Sequence, residues 1–179
     1  MSHNLAITRR RFLQFGIGGA ILLTTAGTGA RWFQRSRRQA LSGYQQLRTQ
    51  DIAFLTAVLP SIIGNHPQFT GHLNTTLAQI DRLLHHSSPT KQTELRDLFD
   101  LITFKATQGP VTGYWGDWTT ATPADIQQFL LRWRDSRVAL LRFGYQGLCQ
   151  LCHMAWYGSE PAWAAIGYPG PPPLFRSHT

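Results

Sequence analysis

The sequence predicts an all-α protein: a single compact helical domain of about five helices with an extended Pro-rich C-terminal tail. Three observations predict it. Apolar residues recur at spacings of three and four, alternating β-branched runs are missing, and Ser88-Pro89 and Thr122-Pro123 supply the N-cap and first-turn proline that start helices.

The elements follow in order. A first helix starts near Thr49 and carries Ile52, Leu55, Val58 and Leu59 until Pro60 kinks or ends it, before the turn Gly64-Asn65-His66-Pro67. A second spans about His72 to His86, with Leu73, Leu77, Ile80 and Leu84 on one stripe. Ser88-Pro89 opens a third, whose Leu95, Leu98, Phe99, Ile102 and Phe104 face inward until Gly109-Pro110 stops it, with Glu94, Asp97 and Asp100 outside. The segment Gly113-Tyr114-Trp115-Gly116-Asp117-Trp118 reads as an aromatic loop, tucked under the domain or presented to a partner. Thr122-Pro123 caps a fourth helix that buries Ile126, Phe129, Leu130 and Trp133. A fifth runs from about Ser136 to Trp156 and lines its apolar side with Leu140, Leu141, Leu148, Leu151 and Cys152. A short capped helix, a glycine stop and the proline-rich tail close the chain.

Ahead of this domain, Thr8-Arg9-Arg10-Arg11-Phe12-Leu13-Gln14 resembles the S/T-R-R-x-F-L-K pattern of twin-arginine export signals. Within it, Thr8, Arg9, Arg10, Phe12 and Leu13 are the signal residues. The apolar stretch from Phe15 to Ala30 is diluted by five glycines. Its sixteen residues, at about 1.5 Å each, fall short of a hydrocarbon core roughly 30 Å thick. The division is therefore residues 1–30 as signal peptide, 31–48 as basic linker and 49–179 as the helical domain with its tail. The implied address is the periplasm or the periplasmic face of the inner membrane, with the twin-arginine translocase as a transient partner.

The chain carries 17 Lys and Arg against 9 Asp and Glu, so removing the three signal arginines leaves 14 basic side chains and a net charge of +5. Basic residues cluster at Arg31, Arg35, Arg37 and Arg38 and again at Arg132, Arg134, Arg137 and Arg142. No nucleic-acid-binding motif accompanies them, so they read as solvated faces or a docking surface. Six tryptophans, five tyrosines and ten phenylalanines exceed what a small core needs and point to protein contact.

Cys149-Gln150-Leu151-Cys152-His153 matches C-x-x-C-H, the haem c attachment pattern. Against haem stands the export route, since haem c is attached to unfolded chains while the twin-arginine pathway carries folded ones. No sixth ligand is singled out by spacing either. A buried or lone thiol pair and a disulfide are the other readings of Cys149 and Cys152. No Ser-His-Asp context, poised carboxylate pair, phosphate cradle or metal-ligand set is legible in the sequence, so no catalytic residue and no metal are assigned.

The C-terminal pattern is Ala155-Trp156-Tyr157-Gly158, then Trp163, then Ile166-Gly167-Tyr168-Pro169-Gly170-Pro171-Pro172. Proline presets the shape of such a tail, which can lie along another protein's groove or strap its own domain. Together with the leader and the helical domain, this pattern resembles the small (gamma) subunit of membrane-associated FAD-dependent sugar and alcohol dehydrogenases, the gluconate 2-dehydrogenase subunit 3 family. The resemblance covers most of residues 45–173, with Leu55 to Ile63 similar to an early family segment, and only the C-terminal motif is specific. It implies a non-catalytic subunit needed for folding, assembly and export of a large flavoprotein of the glucose-methanol-choline type. It also implies that FAD sits in that partner and haem c in a separate cytochrome c subunit. Trp156, Tyr157, Trp163, Gly167, Tyr168 and Pro169 become the expected partner contacts. The C-x-x-C-H segment departs from the family pattern and keeps a small exported haem c electron-transfer protein as the alternative.

Overall fold

The computed structural model describes residues 40–169 apart from Asn65, Pro67 and Ile166. The export signal, including Thr8, Arg9, Arg10, Phe12 and Leu13, and the tail beyond Pro169 lie outside the described residues. Seven α-helices and no strand occur among the described residues: α1 (Thr49–Ile63), α2 (Leu73–His85), α3 (Pro89–Thr103), α4 (Lys105–Thr112), α5 (Pro123–Arg134), α6 (Ala139–Tyr157) and α7 (Glu160–Ala165). The all-α class holds. None of these helices is long and apolar enough to cross a membrane.

Helix α1 is the central element, touching α2, α3, α5 and α6. Its Phe54 is fully buried. The ring meets Trp118 at 5.0 Å, Phe129 at 6.0 Å and Phe99 at 6.4 Å, each edge to face. Each such pair contributes about 0.5–1.5 kcal/mol beyond area burial. One side chain thus ties α1 to α3, α5 and the loop that carries Trp118.

The capping signals act as the sequence implies. Ser88 Oγ accepts the Lys91 N–H, and Thr122 and Asp125 cap each other's backbone at the start of α5. Several local readings are corrected. Pro60 lies inside α1, which runs on to Ile63 and ends at Gly64, where φ is +78°. A proline within the last turn forfeits a single intrahelical bond, so the glycine sets the stop. Gly109-Pro110 does not end the third helix either. The break falls at Phe104, which is extended and exposed rather than inward, and both breaker residues sit inside α4. There the Trp115 indole lies directly over Gly109, in space a Cβ would occupy. That split adds one helix to the five, and the short capped helix expected after them is α7, which makes seven among the described residues.

The linker boundary also moves. Residues 40–48, expected within the basic linker, belong to the folded body, because Leu47 and Arg48 are buried. Asp81 on α2 accepts the backbone N–H groups of Gln45, Gln46 and Leu47 at 2.8, 2.8 and 2.9 Å. Arg48 bonds Asp51 and Asp100. Burial disfavours the charge of its guanidinium, but the two carboxylates outweigh that and hold its pKa above the ordinary value.

Candidate functional site

The C-terminal motif divides between core and surface. Trp156, expected to touch a partner, is 0 % exposed. Its ring packs edge-on against His66 at 4.9 Å and Phe69 at 5.2 Å, and its buried Nε1 has no hydrogen-bond partner among the described residues. The physical reason is helical phase: Leu148, Leu151, Cys152, Ala155 and Trp156 share the inward face of α6, and the next residue turns outward.

The remaining motif residues build an outer face. Tyr157 is exposed, and its carbonyl oxygen accepts the Trp163 Nε1–H at 2.7 Å. Trp163 is half-buried. It accepts the Tyr168 N–H on its carbonyl at 3.0 Å and meets the Tyr168 ring at 5.8 Å. Gly167 takes φ of +66°, the left-handed conformation that favours glycine, and so reverses the chain to bring Tyr168 onto Trp163. Tyr168 and Pro169 are exposed. Met154, three residues before Tyr157 on α6, adds an exposed thioether to this face. Tyr157, Trp163, Gly167 and Tyr168, four of the six expected contact residues, are therefore brought together, with Met154 one turn before Tyr157.

The C-x-x-C-H residues divide between core and surface. Both cysteines are free thiols. Cys152 is 0 % exposed and belongs to the core, where burial first and then the neighbouring Cys149 push its pKa up to about 12. Cys149 is half-buried, and burial raises its pKa against an opposing hydrogen bond from Tyr145. His153 lies on the exposed side, with Nε2 3.3 Å from the Ile62 carbonyl oxygen. Two thioether bonds and an axial imidazole must converge on one open face, whereas here one sulfur points into the core.

A groove of about 630 Å³ lies elsewhere, bounded by Thr112, Tyr114, Asp125, Gln128, Arg132 and Asp135. Its carboxylates are already engaged. Hydrogen bonds from the Thr122 hydroxyl and N–H lower the Asp125 pKa, and a hydrogen bond from Arg134 lowers that of Asp135. Neither is poised to take up a proton near neutrality. Among the described residues no cluster of three His, Cys, Asp or Glu side chains is arranged to hold a metal ion.

No protein-family model, curated protein or solved structure matches the chain.

Sequence reasoning missed two features. One is the Arg48, Asp51 and Asp100 network, although the Arg-x-x-Asp spacing at a helix start was a usable sign of capping. The other is the outward direction of Leu140, which is 59 % exposed beside Phe143 rather than on the apolar side of its helix.

Proposed function

We propose that this chain is the non-catalytic small subunit of a periplasmic-side FAD-dependent dehydrogenase complex, required for folding, assembly and twin-arginine export of the large flavoprotein. The observation that carries the reading is the outer face formed by Met154, Tyr157, Trp163 and Tyr168, which continues in sequence into Gly170-Pro171-Pro172-Pro173. Aromatic rings with a polar tip and a prearranged proline segment are well suited to seat on another protein at low entropic cost. The C-terminal pattern and the leader supply the kind of partner, a flavoprotein that crosses the membrane already folded. In this reading the chain itself binds no cofactor, FAD belongs to the large subunit, and electrons leave through haem c in a cytochrome subunit.

The test is export in trans. Replacing Arg9 and Arg10 by Lys should strand both this chain and its flavoprotein in the cytoplasm, measured by fractionation and by dehydrogenase activity at the periplasmic face. A flavoprotein that still reaches the periplasm would overturn the escort role.

A further inference from the structure

The turn from α5 into α6 combines two properties that the partner-docking face lacks. Val138, Leu140 and Phe143 are 55, 59 and 68 % exposed, and Leu140 and Phe143 stand three residues apart on one side of the first turns of α6. Along the chain from 134 to 143 lie Arg134, Arg137 and Arg142, all exposed, with one acid, Asp135, in the same stretch. Arg134 pairs with that acid, and Arg142 donates to the Ser136 carbonyl at 2.6 Å, which folds its guanidinium back over the turn. Apolar tips are thus interleaved with cations at one corner.

We infer that this corner is a peripheral contact for an anionic lipid surface, with Val138, Leu140 and Phe143 entering the interface and Arg134, Arg137 and Arg142 among the headgroup phosphates. Charge complementarity and area both favour lipid over protein. Full covering of an aromatic side chain buries about 150–250 Å². One such ring and two aliphatic side chains fall well short of the roughly 800 Å² per partner in a stable protein interface. A bilayer interface needs no shape-matched pocket, takes protruding apolar side chains directly and rewards each nearby cation. The corner also stands apart from the outer face at the other end of α6, so one helix can meet lipid and protein at once. The inference does not depend on the flavoprotein reading.

The test is hydrogen–deuterium exchange of the full chain with vesicles of phosphatidylglycerol and phosphatidylcholine, and with phosphatidylcholine alone. Exchange is read peptide by peptide, so lipid affinity of the leader is scored separately. Residues 137–146 should be protected by the anionic vesicles, much less by the neutral ones, and less again in high salt. Leu140→Ser with Phe143→Ser should abolish that protection. Arg134→Gln with Arg137→Gln should reduce it by about tenfold in lipid concentration. All four positions are exposed, and circular dichroism checks that the variants fold. Unchanged exchange with both vesicles, or equal protection by neutral ones, overturns the inference. So does protection that appears with a co-purified protein but not with lipid.

Discussion

The carboxylate of Asp81 accepts the backbone N–H of Leu47 at 2.9 Å, across 34 residues of chain, and so fastens the segment before α1 to α2. The same carboxylate holds Gln45 and Gln46. Asp81→Ala should cost about 3 kcal/mol, because a charged acceptor is lost and the buried Leu47 N–H is left unpaired. Asp81→Asn, which keeps one acceptor oxygen, should cost about half as much. Denaturant midpoints at unchanged slope measure both. An unshifted midpoint for Asp81→Ala would mean that this segment adds no stability.

Two glycines of α6 should respond with opposite signs. A Cβ on Gly144 would stand 2.7 Å from the ring of the fully buried Trp133 and 3.3 Å from Leu98, so Gly144→Ala forces core side chains apart. Overpacking of about 1–3 kcal/mol outweighs a helix-propensity gain of up to about 1 kcal/mol. Gly147 has nothing within 4 Å of such an atom. Gly147→Ala should therefore stabilise by about 0.5–1 kcal/mol. Thermal unfolding of the two variants side by side gives the comparison.

The thiols should differ in reactivity and in what they contribute at high pH. Cys152, with its pKa raised from 9.0 to about 12, stays protonated and shielded, so thiol reagents at pH 8 should label it only in denaturant. Cys149, half-buried, should react slowly in the native protein. Because the folded pKa of Cys152 lies above the unfolded one, the stability its neutral form contributes is intact below about pH 9 and lost as the pH rises toward about 12. Equal native labelling of both cysteines would contradict the burial of Cys152.

Neighbours within the C-terminal motif should separate into stability and recognition. Trp156→Ala removes a ring packed on His66 and Phe69 and should cost about 3–5 kcal/mol. Tyr157→Ser and Tyr168→Ser remove exposed rings and should change stability by no more than about 0.5 kcal/mol, since the Tyr157 carbonyl that holds Trp163 belongs to the backbone. The same two substitutions should weaken co-purification of a flavoprotein partner. If partner retention survives the double tyrosine variant, the docking face is elsewhere.

Where the sequence reading succeeded, the cause was local. The Ser88 and Thr122 caps stand next to the prolines that start their helices, and the stripe of Leu77, Ile80 and Leu84 on α2 needs nothing beyond its own periodicity. Where it failed, a distant residue intervened. The segment before Thr49 is an ordinary linker until Asp81 captures its amides. Of the candidate docking residues, Trp156 was misplaced because aromatic content alone does not tell which side of α6 a ring occupies.

Helical class, cap positions and apolar stripes were determined by the sequence, since backbone capping and a 3.6-residue period act between near neighbours. The leader motif and the C-terminal pattern were also legible there as strings of residues. Tertiary structure alone decided that Trp156 enters the core while Leu140, Phe143 and Tyr157 stay outside. Helix α6 has apolar residues all round, and only the packing of α1, α2 and α5 against it selects the side withdrawn from water.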